Sequence, residues 1–455
     1  MELKVKPVLM YGVYQRREAT SWRPWGGIQT EEDAQEEAQR IGRELGDLAS
    51  KASFPMDMFP LSSLRSVDEV PHVKGELSSS DVTLIYAAGG GSDLLEALTS
   101  SNRWSIIFVR HRSGPLYLWY EIVHPIFLRK RSDEFRQPKV DMDDVVVDDY
   151  DEILWRLRAL YGLKNTLGSR IISIGEPGGW GIGDRAVTLA RERWDLDIRT
   201  VAYPELEGML KGIKSDENAL KQTHQQAKEY LSQEGITLHT DSKFIDKAFI
   251  LYRVFRDLMR DIDARAITVG ECMSTIIPIA ETTACLPLSL INDEGDLAFC
   301  ESDFVVIPAG ILLHHISKRT VFLNDPTYPH DGVVTLAHCT APRKMDGVNY
   351  EDTKIMTHFE SDCGAAPKVE FSKGQEVTVI VPDFEEKVWV GFKGKILDAP
   401  LLPICRSQVE VEIKGDWKKL LREMRGFHWM MCYGDHLREI GYALKKVGIE
   451  YLRIS

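Results

Sequence analysis

Four side chains with metal-binding and acid–base chemistry stand at the ends of apolar runs. Glu301 follows Phe299-Cys300 and is soon followed by Phe304-Val305-Val306. Asp325 comes after Val321-Phe322-Leu323, and His338 after Val333-Val334-Thr335-Leu336-Ala337. His428 lies between Phe427 and Trp429. A carboxylate entering an apolar run needs a partner, because burying it unpaired is costly. Singly, each residue has an ordinary structural explanation. An acid after a strand caps a helix or pairs with a base, and a histidine on an apolar strand is hydrogen-bonded in the core. Together they form an oxygen-and-imidazole set. That set suits Mn²⁺, Co²⁺ or Mg²⁺ better than structural zinc, which prefers thiolates.

A second group is suited to holding a ligand rather than transforming it. Arg16, Arg17, Trp22, Arg23 and Trp25 fall on one N-terminal loop. Aromatic faces suit the C–H surfaces of a sugar, and arginine forks suit carboxylate, phosphate or sulfonate. Two glycine-rich loops each follow a predicted strand: Gly89-Gly90-Gly91, and Gly175-Glu176-Pro177-Gly178-Gly179-Trp180-Gly181-Ile182-Gly183. Neither has the G-x-G-x-x-G or P-loop spacing, which argues against NAD and ATP. Tight turns at the carboxyl edge of a sheet explain both. That edge is also where open α/β sheets bind ligands, so Gly90 is a candidate contact for a polyhydroxylated molecule.

The elements that position these residues read as α/β layers followed by a β-rich segment. Predicted strands at 4–14, 81–88 and 104–110 alternate with helices at 30–48 and 94–98. Thr30 caps the first of these helices, and Glu31, Glu32 and Asp33 fill its first turn. A charged stretch over 129–149 marks a boundary and reads as a solvated linker at its acidic end. Alternation resumes with strands at 169–174, 197–202 and 266–269 and helices at 185–194, 217–233 and 241–264. After about residue 303 short β-rich runs appear at 320–323, 332–337, 376–381, 388–392 and 409–413, then helices at 417–425 and 435–447. The expected organisation is an N-terminal α/β domain over 1–150, a middle α/β domain over 151–315 with the first ligand, and a β-rich domain over 316–455 with the rest.

Composition excludes several classes. The 455 residues carry 56 Lys+Arg against 69 Asp+Glu, a formal net charge of −13. That balance argues against a nucleic-acid partner, whose phosphates need a basic surface, and against an anionic membrane. Hydrophobic residues make up 44%, enough for a large core. No apolar stretch approaches the ~18 residues of a membrane span, and the charged start lacks a signal-peptide core. Seven cysteines without a close CxxC pair argue against a disulfide framework or zinc ribbon, so the expected compartment is the cytoplasm.

The run Cys300-Glu301-Ser302-Asp303, preceded by Asn292-Asp293-Glu294-Gly295, resembles the metal-binding segment of the L-fucose and L-arabinose isomerase superfamily. The family's first ligand is a Glu, and Glu301 occupies that place. Its second acid follows about two dozen residues on, and Asp325 lies at 325 − 301 = 24. The surrounding Phe322-Leu323-Asn324-Asp325-Pro326-Thr327-Tyr328 is similar to the fucose isomerase pattern. A His precedes the last helices in the family, matching His428, and arabinose isomerases add a His to which His338 is similarly placed. The resemblance covers about 265–345 and the last 35 residues, and is architectural elsewhere. It implies two Rossmann-like α/β domains, then a β-rich one. It implies a metal-dependent aldose–ketose isomerase working on an open-chain sugar through a cis-enediol(ate), with Glu301 and Asp325 as both ligands and bases. It also implies a homo-oligomer whose site is shared between subunits. Sulfoquinovose isomerases resemble the same family, and the arginines near Trp22 make an anionic sugar one candidate substrate. A sugar-binding or regulatory protein without turnover, and a metal-dependent epimerase or aldolase, are the competing readings.

Overall fold

Continuous apolar runs produce parallel strands here, because both faces of each strand are covered. Leu3–Met10, Val82–Ala87 and Trp104–Val109 are almost wholly buried, as strands of a doubly covered parallel sheet must be. A computed structural model describes residues 1–13, 27–120, 123–128 and 140–455. It divides the chain into two compact units, Met1–Lys164 and Asn165–Ser455. The boundary expected at 150/151 falls at the first turn of helix Tyr150–Thr166, and the segments expected to part at 315/316 share the second unit.

In the first unit, five strands run in the spatial order Met56–Met58, Leu3–Met10, Val82–Ala87, Trp104–Val109, Val145–Val147, with Ser62–Leu64 also pairing to Leu3–Met10. All of these pairings are parallel. Helix Glu31–Lys51 begins as the sequence indicates. Thr30 accepts from the Asp33 N–H at 3.1 Å while Asp33 accepts from the Thr30 N–H at 3.0 Å. Beyond the sheet's carboxyl end, Arg110 is fully buried and donates to Glu37 at 2.6 Å, and the Tyr117 hydroxyl donates to the same carboxylate.

The second unit holds two kinds of sheet. The first is parallel, in the order Leu297–Cys300, Ala266–Val269, Arg170–Ile174, Asp197–Val201. Helices Asp184–Trp194, Tyr203–Ser215 and Ser242–Ile262 belong to this layer, and the last begins under an Asp241 cap. The second sheet is antiparallel and closes on itself. Its order is Glu376–Val381, Trp429–Tyr433, Phe322–Pro326, Val333–His338, Ser407–Ile413, Val388–Asp398, and back to Glu376–Val381. Closure leaves no free edge on this ring, and Glu450–Arg453 adds a parallel strand to Val388–Asp398. The fold is therefore mixed α/β with parallel sheets and a C-terminal antiparallel β-barrel.

Several elements differ from the periodicity reading. The strand expected at 320–323 is Phe322–Pro326, so Asp325 lies inside a ladder instead of beyond it. The apolar segment between the last two helices is a central barrel strand, Trp429–Tyr433, too uniformly apolar to show alternation. Thr353–Met356 and Ala366–Val369 form a small sheet with Ile236–Leu238 that no local pattern announces. Among the described residues, no single helix is long and apolar enough to cross a membrane.

Helix Ile307–Ser317 joins the parallel layer to the barrel. A Cβ on Gly310 would lie 2.5 Å from the Phe299 ring and 2.8 Å from the Met430 methyl. Phe299 belongs to the strand leading to Glu301, and Met430 to the strand that follows His428. Gly310→Val is expected to destabilise the protein by about 1–3 kcal/mol through overpacking. Denaturant titration checks this, and an unchanged midpoint contradicts the close packing described.

Candidate metal centre

Barrel register brings three of the four predicted ligands together. Phe322↔Met431, Leu323↔Met430 and Asn324↔Trp429 continue to Asp325 opposite His428. On the other flank Asp325 pairs with Ala337, the neighbour of His338. The fourth residue, Glu301, comes from the parallel sheet, just past the carboxyl end of Leu297–Cys300. There the backbone takes left-handed values, φ 64° at Glu301 and 46° at Ser302. Such non-glycine conformations cost of order 1–3 kcal/mol each and persist only where the surroundings hold them. The holding contacts are plain. The Gly178 N–H donates to the Ser302 carbonyl at 3.3 Å, and the Phe304 N–H donates to the Gly178 carbonyl at 2.9 Å.

The four side chains face one gap. His428 Nε2 lies 3.3 Å from Asp325 Oδ1 and 3.5 Å from Glu301 Oε2, and His338 Nε2 lies 3.7 Å from Glu301 Oε1. Ligand atoms of Asp325, His338 and His428 all fall within 4.8 Å of one another, as do those of Cys300, Glu301 and His338. Asp325 Oδ1 and His428 Nε2 are buried, yet neither completes a hydrogen bond. Orphaned buried acceptors are rare. Two of them aimed into one gap beside a second carboxylate and imidazole fit a divalent cation with oxygen and nitrogen ligands.

Each imidazole is oriented from behind. His338 Nδ1 pairs with Thr340 Oγ1 at 2.9 Å. His428 Nδ1 pairs with Asp303 Oδ2 at 2.7 Å, both groups being fully buried. The other Asp303 oxygen accepts from the backbone N–H groups of Trp180 at 3.2 Å and Val305 at 3.1 Å. A carboxylate behind a ligating histidine fixes its tautomer and leaves Nε2 as the ligand atom.

The charges act on one another strongly. Burial pushes the Glu301 carboxyl up, but the adjacent imidazoles of His338 and His428 outweigh it and hold Glu301 well below the usual carboxylate range. Asp325 moves the opposite way, raised by burial against the pull of the same two histidines. Burial lowers His428, yet Asp303, Glu301 and Asp325 raise it to about 10. His338 is also raised, by Glu301 and Asp325 against burial.

Glu301, Asp325 and His338 form part of the wall of a cavity of about 710 Å³, with His428 buried behind them. Trp180 and Phe427 stack at its rim, ring centroids 4.3 Å apart, with 46% and 43% of their surface exposed. The indole N–H of Trp180 donates to Glu301 Oε2 at 2.8 Å. Trp180 comes from the second glycine-rich loop, whose close approach has a steric reason. A Cβ on Gly179 would lie 2.3 Å from that of Ala186. The loop thus presents an aromatic side chain to the site rather than a nest for phosphate.

The structure brings together Glu301, Asp325, His338 and His428. Gly90 is in the first unit, at φ 98° in the turn before helix Ser92–Ser100. Arg16, Trp22, Arg23 and Trp25 lie outside the described residues. Three residues at this site were not singled out from sequence. Asp303 had a signal, an acid directly before the apolar Phe304-Val305-Val306. Trp180 and Phe427 had none, because an aromatic beside glycine or histidine is compatible with any packing role. The chain matches no protein-family model and no curated protein at a significant level.

Asp303→Asn tests the orienting bond. Two backbone N–H groups fix the amide oxygen at the Oδ1 position, so the amide nitrogen faces His428 Nδ1. The imidazole must then accept there and carry its proton on Nε2, the atom the cation needs. Mn²⁺ affinity measured by titration calorimetry is expected to fall by about 10–100-fold with an unchanged circular dichroism spectrum. Wild-type affinity would show that Asp303 does not set the tautomer.

Proposed function

We propose that this protein is a metal-dependent aldose–ketose isomerase acting on an open-chain sugar. The observation that carries the reading is the convergence of two carboxylates and two imidazoles, with two orphaned ligand atoms, at a sugar-sized cavity whose wall includes Glu301, Asp325 and His338. Glu301, Asp325, His338 and His428 would hold the cation, Mn²⁺, Co²⁺ or Mg²⁺. When bound, it supplies Lewis acidity toward a carbonyl and stabilises negative charge on the sugar oxygens.

The chain's own residues account for the proton movements. Interconverting an aldose and a ketose moves one proton between C1 and C2 and another between O1 and O2, through a cis-enediol. Glu301 would take the carbon-bound proton and return it to the neighbouring carbon. Asp325, raised by burial, is suited to carry the hydroxyl proton. Trp180 fixes the Glu301 carboxylate through its indole N–H and offers an aromatic face to the sugar's C–H surface.

The described lining carries Glu271, Glu301, Asp325 and Glu360 and no Lys or Arg. That wall favours a neutral polyhydroxy substrate. An anionic aldose such as sulfoquinovose needs cationic contacts from elsewhere, for which Arg16 and Arg23 are the candidates. A homo-oligomer in which a second subunit covers the site is part of the proposal, supported by the exposed Trp180, Phe427 and Met273 at the cavity. So are a Rossmann-like description of both parallel layers and a cytoplasmic setting for a chain whose cysteines are all free.

Glu301→Gln and Asp325→Asn are each expected to lower turnover by about 10²–10⁴-fold or more while the fold persists. EDTA is expected to remove activity and Mn²⁺ to restore it. The deciding assay is a screen of aldoses with Mn²⁺ in D₂O, read by NMR. Ketose formation with exchange or transfer of the C2 hydrogen supports isomerisation, an inverted centre or a broken C–C bond indicates an epimerase or aldolase, and an unchanged sugar indicates a binding protein.

Substrate charge is tested separately by comparing kcat/KM for neutral and anionic aldoses in wild type and Arg23→Ala. A loss confined to anionic sugars assigns Arg23 to anion recognition, and equal losses remove that role.

A further inference from the structure

The metal reading leaves a cluster of sulfur in the same cavity without a use. Cys339 follows His338 directly and belongs to a small sulfur-bearing cluster. The Arg406 N–H donates to Cys339 Sγ at 3.4 Å. Cys285 and Cys339 pack with Ala366, with Phe359 and Cys405 against them, and all three of these sulfur-bearing residues line the cavity. All three are free thiols. A buried cysteine packed as a small hydrophobe has no need of two sulfur neighbours or of a route to solvent. Here a small oxidant entering the cavity meets three thiols at once.

The two neighbours differ in their setting. Cys285 is the first residue of helix Cys285–Asp293 and 2% exposed. Cys405 lies in the irregular stretch between strands Val388–Asp398 and Ser407–Ile413 and is partly exposed. The N–H of the next residue, Arg406, is the group bonded to the Cys339 sulfur, so Cys405 is the thiol placed beside Cys339 on the more open side.

We propose that Cys339 and Cys405 form an oxidant-sensitive dithiol site, closed to a disulfide by hydrogen peroxide. The Cys339 sulfur attacks one peroxide oxygen, the O–O bond breaks, and the departing hydroxide takes up the thiol proton as water, leaving a sulfenic acid. The Cys405 sulfur then attacks the Cys339 sulfur. The S–O bond breaks, and the hydroxide leaves as water with the proton from Cys405. In sum, two thiols and one peroxide give one disulfide and two waters, with both sulfurs oxidised and the peroxide reduced. The partly exposed Cys405 is the resolving sulfur, and trapping of Cys339 with dimedone checks that order. This site stands independently of the isomerase reading.

The test uses the purified full-length protein, a few equivalents of hydrogen peroxide, and mass spectrometry of a non-reducing digest. A Cys339–Cys405 crosslinked peptide is expected at about tenfold the level of any other cysteine pair, and dithiothreitol is expected to remove it. In Cys405→Ser the crosslink cannot form, and Cys339 is expected to be trapped as a dimedone-labelled sulfenic acid. A Cys339–Cys285 crosslink instead, or a Cys339 that stays reduced in both proteins, overturns the proposal. Because the wild-type arm needs no variant and no turnover, neither a folding defect nor failure of the isomerase reading can produce those results.

Discussion

The hydrogen bond between His428 and Asp303 joins two structures with different architectures. His428 stands just before a central barrel strand, and Asp303 stands three residues beyond the end of a parallel strand. Their contact is 2.7 Å long and fully buried. An unpaired carboxylate or imidazole in that position would be expensive. The pair therefore requires the barrel and the parallel layer to meet in one register. The same carboxylate holds the glycine-rich loop through Trp180 and its own turn through Val305. Around this one group the strained backbone of Glu301 and Ser302, the tautomer of His428 and the placement of Trp180 are all fixed.

What surrounds that bond is a set of charges at close quarters. Glu301 and Asp325 share the same two histidines but respond in opposite directions, because the imidazoles outweigh burial at Glu301 and burial outweighs them at Asp325. Two carboxyl groups of one chemical type are thereby given different proton affinities by their surroundings. The orphaned Asp325 Oδ1 and His428 Nε2 belong to the same logic. They lie 3.3 Å apart without a completed hydrogen bond.

Much of this was legible in the sequence, for identifiable reasons. The helices beginning at Glu31, Asp184, Glu217 and Ser242 carry caps or strong periodicity, and their predicted bounds hold within a few residues. The parallel strands are short apolar runs between such helices. The four candidate ligands were legible because charge at the end of an apolar run is conspicuous. Trp429–Tyr433 was not, since a strand buried on both faces shows no alternation. Nor was the small sheet that pairs Thr353–Met356 with Ile236–Leu238, which depends on a contact more than a hundred residues away in sequence.

The sequence by itself determined which side chains are available for chemistry and the local elements that carry them: an acid at the end of one parallel strand, and an acid and two histidines on or beside three antiparallel ones. It could not determine that Asp325 faces His428, because that follows from ladder register, and register is a property of two strands. It could not place Trp180 over Glu301 or Asp303 behind His428, because those contacts span 121 and 125 residues. Local propensity acts over a few residues, whereas the geometry of a site is set by packing between distant segments. The tertiary structure alone brought four separated candidate ligands, two aromatic rings and a trio of thiols to one cavity and the residues directly behind its wall.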